Sequence, residues 1–127
     1  MKQKGTRAER ELLHLFYDHG WICVRAAGSG SIPLPCPDVI AGHKGRVLAI
    51  ECKSTKKKKK YLEKREVKEL IVFAETFGAR PVIALRCDRA GWFFFSAYNL
   101  YESEKFFVAD SAKGILFETI IEIPKES

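Results

Sequence analysis

The sequence predicts an α/β domain in which a mixed central β-sheet is flanked by helices. Two segments, one near the N-terminus and one past the middle, have apolar residues at helical spacing. Between and after them lie short β-branched and aromatic runs bounded by Gly, Pro and Asp. The resulting order of helix, three strands, helix and further strands places helices against a mixed sheet. A chain of 127 residues builds one such core and not two, so residues 1–127 are expected to form a single domain.

In chain order, residues 5–19 read as a helix. Leu12, Leu13, Leu15 and Phe16 form its apolar sector, and Arg7, Arg10, Glu11, His14 and Asp18 lie outside. Gly20 ends it. Residues 21–25 read as a short strand and residues 26–37 as a Gly-, Ser- and Pro-rich loop. Residues 38–41 and 46–53 read as a hairpin turning at His43-Lys44-Gly45. The lysine-rich stretch 54–61 is expected to be a flexible arm, and residues 62–77 a second helix closed by Gly78. Residues 80–86, 92–95 and 106–109 read as strands, 115–123 as a short helix in preference to a strand, and 124–127 as a fraying end.

Composition narrows the function. Hydrophobic residues make up 46% of the chain and charged residues 30%, as in soluble globular proteins. The net charge of +6 favours a polyanionic partner. No segment approaches the roughly 20 apolar residues of a membrane span. The charged start has no apolar run behind it, so neither a signal peptide nor a membrane partner is expected, and the protein is expected to be cytoplasmic. Cys23, Cys36, Cys52 and Cys87 form no short-spaced pair. That disfavours a zinc site, and a structural disulfide is unexpected in a reducing cytosol. Cys23, Cys52 and Cys87 read as small core residues.

Chemistry concentrates at Asp38, Glu51 and Lys53. Alternation along a strand puts Glu51 and Lys53 on one face and Cys52 on the other. Val47-Leu48-Ala49-Ile50 should be buried, and a burial-prone strand that ends in a carboxylate and an ammonium requires a reason. A surface ion pair is one. A divalent-cation site is the other: Asp38 and Glu51 supply hard oxygen ligands, and Lys53 faces a phosphate or a water. Glu9 projects within about 20° of Phe16 on the helical wheel. Either it sits well in the first helical turn, or the helix delivers it to the same cluster; three segments each offering one out-of-place charge favour the second.

These residues resemble the PD-(D/E)XK nucleases and, within them, the archaeal Holliday-junction resolvases. The resemblance runs through Ala8-Glu9-Arg10-Glu11-Leu12, Val24-Arg25-Ala26-Ala27-Gly28-Ser29, Pro37-Asp38-Val39-Ile40-Ala41-Gly42 and Ile50-Glu51-Cys52-Lys53-Ser54. It continues to about Phe95 and is loose beyond Tyr98. It implies a restriction-endonuclease-like core. It also implies a homodimer that makes paired symmetric nicks in four-way junction DNA with Mg2+ (Mn2+ substituting) and no small-molecule cofactor. Glu9, Asp38 and Glu51 match the family's acidic residues, here the expected metal ligands, and Lys53 its catalytic lysine. Ser29 matches a position tied to catalysis or DNA contact, as do Arg10 and Arg25. The chain departs from part of the family in its longer Pro-rich loop, 31–37, and in its lysine run.

Lys56, Lys57, Lys58, Lys59 and Lys60 read as a solvated face or, beside a nuclease site, as an arm that grips phosphates without reading sequence. Arg7, Arg10 and Arg25 extend that track, and Ser29 and Ser31 are placed to bond phosphate oxygens. The second helix has more apolar surface than one packing face needs. Phe73 and Phe77 are accounted for by deep burial or by a self-complementary two-fold contact, and the second is favoured. Two other classes remain: a different PD-(D/E)XK nuclease of restriction or mismatch type, or a basic protein that holds branched DNA without cutting it.

Overall fold

The computed structural model describes residues 2–26 and 34–123, with side chains from Arg7 onward. Ser29 and Ser31 lie outside the described residues, as does the expected fraying end, 124–127.

Helix α1 (Lys2–Tyr17) leads into β1 (Ile22–Arg25), and then come β2 (Val39–His43) and β3 (Arg46–Thr55). Strand β4 (Lys59–Glu63) runs straight into α2 (Lys64–Phe77), which is followed by β5 (Arg80–Cys87) and β6 (Gly91–Ser96). The chain closes with β7 (Tyr101–Glu102), β8 (Phe106–Asp110) and the single turn α3 (Phe117–Ile120). A five-stranded sheet runs β1-β2-β3-β5-β6, parallel only between β3 and β5. A small second sheet runs β4-β8-β7.

Alternation along the strands divides the core into two layers. Leu48 and Ile50 of β3, with Val82 and Ala84 of β5, pack with Leu12 and Phe16 of α1. Ala49 of β3, with Ile83 and Leu85 of β5, packs with Val67, Leu70 and Ala74 of α2. Glu51 and Lys53 continue the Ala49 row, so they belong to the α2 side of the sheet, whereas Cys52 packs on the α1 side.

The hairpin turns on Lys44 and Gly45, both at positive φ (50° and 88°), the two-residue arrangement that matches strand twist. Gly78 closes α2 at φ 93°, where its N–H reaches the Ala74 carbonyl, and any side chain there would be strained. Pro81 lies inside β5. It pairs with Ala49 one residue before the β6 ladder begins at Val82, so its missing N–H removes nothing from that ladder.

Two expectations are corrected. The lysine stretch is not a flexible arm: β3 runs to Thr55, and Lys59 and Lys60 pair with Asp110 and Ala109 of β8. The pairing is anchored by Leu62, 2% exposed, and Lys is a weak strand former that gives no local sign of it. Residues 115–123 hold only the short α3, because Ile115 bridges to Phe94 through backbone hydrogen bonds of 2.7 and 2.8 Å.

Candidate active site

The site forms where two strands part company. Strand β2 begins only at Val39, opposite Ile50, while β3 continues to Thr55 beside β5. Past that point the backbone N–H of Cys52 has no partner from β2. The Asp38 carboxylate replaces it, accepting the Cys52 N–H through Oδ2 at 2.8 Å. Asp38 is thus fixed one residue ahead of its strand, against the stretch of β3 that carries Glu51 and Lys53.

On the α2 side, the Lys53 ammonium donates to both oxygens of Glu66, at 3.1 and 3.2 Å, and lies 3.7 Å from Glu51 Oε2. Glu66 stands in the first turn of α2 and escapes the sequence reading. An acid at a helix start is ordinary, and only the side of the sheet that Lys53 faces brings the two together. A cavity of about 210 Å³ opens over the group, lined by Asp38, Glu51, Glu66 and Glu69 with Cys36, Leu70 and Phe73.

Burial and like charge shape this pocket. Burial raises the Asp38 carboxyl above its usual range, and the Glu9 charge adds to the rise against the opposing Cys52 N–H bond. Burial, reinforced by Asp38, pushes Glu51 up to about 8. Burial would lower Lys53, but the charges of Glu51 and Glu66 outweigh it and hold the ammonium above the ordinary lysine range. Two carboxylates that resist ionising together are in the condition a divalent cation relieves. Among the described residues no three His, Cys, Asp or Glu side chains are grouped to hold a metal by themselves. The donors here are hard oxygens, and Mg2+ commonly takes one or two carboxylates and completes its shell with water and phosphate. Asp38 and Glu51 fit that pattern.

Glu9 approaches this cluster from the α1 side, near enough for its charge to raise Asp38. It flanks the buried Ala8–Leu12–Phe16 row of α1, and its Oε1 accepts from Arg25 Nε at 2.7 Å. Arg25 pairs with Val39 on the neighbouring strand, so the Glu9–Arg25 pair borders Asp38 from the α1 side. Sequence reasoning placed Glu9 with the metal ligands and Arg25 with the DNA track; the structure ties the two to each other. Glu11 was also missed in its anchoring role: it accepts from Arg86 Nε at 3.0 Å and Trp92 Nε1 at 2.8 Å, joining α1 to β5 and β6. Arg7 and Arg10 lie exposed on α1.

Lys56 to Lys58 form an exposed turn directly after β3, and a recess of about 610 Å³ is lined by Lys57, Lys58, Lys59, Lys60 and Tyr61. On the outer face of α2, Phe77 is 55% exposed and stacks on Phe73 at 5.2 Å beside Val72, itself 63% exposed. These residues line an open groove of about 790 Å³ that shares Pro35, Glu69 and Phe73 with the acidic cavity. The four cysteines are free, and burial raises Cys23 to about 11, so its thiol behaves as a core residue.

A family model described as archaeal Holliday junction resolvase (Hjc) matches residues 1–127. The chain belongs to the archaeal Holliday junction resolvase family. It is 45% identical over 112 residues to the crossover junction endodeoxyribonuclease Hjc of Archaeoglobus fulgidus, covering 88% of this chain and 82% of that one. It is 37% identical over 108 residues to the crossover junction endodeoxyribonuclease Hjc of Methanocaldococcus jannaschii, covering 85% and 77%. The solved structure of Archaeoglobus fulgidus Hjc, a Holliday junction resolvase, superposes with a TM-score of 0.86 at 40% identity over 91% of this chain and 98% of that one. The fold is accordingly restriction-endonuclease-like, as the sequence led us to expect.

Proposed function

We propose that this resolvase-family chain cuts four-way DNA junctions by divalent-cation-assisted hydrolysis, as a homodimer that places paired nicks in opposing strands. The observation that carries the chemistry is the convergence of Asp38, Glu51 and Lys53 where β2 leaves β3. Asp38 and Glu51 would hold a cation of the Mg2+ class. When bound, such an ion supplies acidification of a water and neutralisation of charge on the phosphoryl group.

The chain's own residues do the rest. Asp38, locked to the Cys52 N–H, presents its other oxygen from a fixed position, which limits reorganisation during the reaction. Lys53 remains an ammonium at neutral pH, a donor suited to charge that builds on a phosphate oxygen. Glu9, held by Arg25, adds negative charge beside Asp38 and would hold the ion directly or through a bound water. Ser29 takes part in catalysis or binds phosphate, and Ser31 binds phosphate. Arg7, Arg10 and Arg25, with the lysines of the 56–60 turn and strand, hold the junction arms by phosphate contacts, which confer affinity without sequence reading. Phe73 and Phe77 pair across a two-fold axis, and two sites so related account for two matched cuts. The protein acts in the cytoplasm.

The test is cleavage of a synthetic four-way junction, a linear duplex and a nicked duplex, each with and without Mg2+. Symmetric cuts on the junction alone are expected, with junction binding preserved in Ca2+. Asp38→Asn, Glu51→Gln and Lys53→Ala should each lower the cutting rate at least about 100-fold, as loss of a transition-state contact does, and leave junction affinity within a few-fold. Cleavage of the linear duplex at a defined sequence would turn the reading toward a restriction enzyme. Variants that lose binding together with cutting would remove the assigned catalytic roles.

A further inference from the structure

Lysine is a point charge on a flexible four-carbon stem, and a catalytic lysine has to be held to be useful. Lys53 has two carboxylates within reach. Glu66 takes it through both oxygens at 3.1 and 3.2 Å, whereas the Glu51 contact is 3.7 Å. The Glu66 end of this contact is rigid. The next residue, Val67, is 1% exposed, and Leu70 and Ala74 continue the same buried row against the sheet. The Lys53 end is rigid too, since Lys53 pairs with Leu85 within the β3–β5 ladder, which continues through Ser54 and Thr55. Two fixed backbones thus hold the ammonium against Glu66 and Glu51, two of the carboxylates that line the acidic cavity.

We propose that Glu66 is the positioning residue for the catalytic lysine: its two hydrogen bonds fix the Lys53 ammonium in the orientation from which it meets the scissile phosphate. The inference rests on the nuclease reading above and deepens it. Glu66 acts through Lys53 and not on the cation, which separates two measurable outcomes. Loss of a positioning residue lowers the rate of the chemical step even when the cation and DNA are saturating. Loss of a cation ligand raises the cation concentration needed, and excess cation restores the rate.

The experiment measures single-turnover junction cleavage against Mg2+ concentration for the wild type, Glu66→Gln, Glu66→Ala and Glu63→Gln. Junction affinity in Ca2+ and thermal melting are followed in parallel. Glu66→Ala should cut at least tenfold more slowly at saturating Mg2+. Glu66→Gln, which retains one acceptor oxygen, should fall between Glu66→Ala and the wild type. Half-saturating Mg2+ should move less than threefold and junction affinity less than twofold in both. Glu63→Gln removes a charge at the exposed start of the same helix, which is ion-paired to Arg65, and should cut at the wild-type rate. In 15N-labelled protein the Lys53 ammonium signal, slowed in exchange by Glu66, should broaden or vanish in Glu66→Ala. Wild-type rates in both Glu66 variants overturn the inference. So does recovery of rate at high Mg2+, which would make Glu66 a cation ligand. If Glu66→Ala melts early, Glu66→Gln decides alone, and an unchanged rate in it is fatal. A wild-type protein that leaves the junction intact defeats the nuclease reading itself, whereas a cutting wild type with cutting Glu66 variants defeats only this one.

Discussion

A carboxylate buried beside a second carboxylate resists ionisation until a positive charge joins it, and Glu51 is held in that situation. Its folded-state value near 8 lies above the ordinary 4.5, so the fold binds the proton more tightly than the unfolded chain does. The stability this provides is complete below the unfolded value and disappears as pH rises through the folded one. Asp38, raised by burial, acts in the same direction. Each tenfold change in proton affinity is worth about 1.4 kcal/mol, and for a domain of this size each kcal/mol moves Tm by about 3–5 °C. In EDTA, Tm should therefore drop by at least about 5 °C between pH 5 and 8.5, Glu51→Gln should flatten the decline, and Mg2+ should restore more stability at pH 8.5 than at pH 5. A flat or rising profile by calorimetry would contradict the burial of this pair. Asp38, Glu51 and Lys53 were legible in the sequence because charge at the end of a buried strand is out of place. Glu66 was not, because an acid in the first turn of a helix looks like an ordinary dipole partner, and only the α2 side of β3 reveals its contact. The Glu9–Arg25 pair was half legible: both residues were singled out, but their partnership depends on β1 lying beside β2 under α1.

Among the elements, the lysine turn and β4 show where local reading runs out. The two main helices and β1, β2, β3, β5, β6 and β8 were readable because each carries its own period and its own stop, as Gly78 does for α2 and Lys44-Gly45 for the hairpin. Strand β4 has neither. Its sequence is KKYLE, and it is specified by β8, more than 40 residues away, which pairs Leu62 with Phe107 and Tyr61 with Val108. That ordering has a functional consequence. A flexible arm would have to lose conformational freedom on meeting DNA, whereas a paired strand presents Lys59 at a set height with Lys56 to Lys58 on the turn beside it. Each phosphate contact contributes about 0.9 to the slope of log affinity against log salt. Replacing Lys56, Lys57 and Lys58 with Ser should reduce that slope by up to about 3 and weaken junction binding most at low salt. The single-turnover rate at saturating DNA should stay near wild type. Fluorescence anisotropy across 50 to 300 mM salt measures both quantities, and an unchanged slope would remove this turn from the DNA track.

At the scale of the whole molecule, α2 is the element that would join the proposed cutting chemistry to the proposed two-fold assembly. Its N-terminal turn holds Lys53 through Glu66, its inner row packs on the sheet, and its outer face carries Val72, Phe73 and Phe77. An exposed Phe77 stacked on a half-buried Phe73 beside an exposed valine forms an apolar patch that a monomer leaves wet, and fully burying a side chain of this kind is worth about 1.5–3 kcal/mol. A two-fold contact buries the patch twice with one set of residues, which is how an isologous interface reaches useful stability from a small surface. Because the groove shares Glu69 and Phe73 with the acidic cavity, such a contact would also set the spacing and direction of the two proposed active sites. Phe73→Glu and Phe77→Glu place a charge in that contact and should convert the protein to a monomer at micromolar concentration by analytical ultracentrifugation. The fold itself should survive, since Phe77 is exposed and Phe73 only half-buried. On a junction, the monomeric variants should lose the near-simultaneous pair of cuts and leave singly nicked product, visible when both strands are labelled on a supercoiled cruciform plasmid. An unaltered sedimentation profile, or paired cutting by a proven monomer, would move the two-fold axis away from α2.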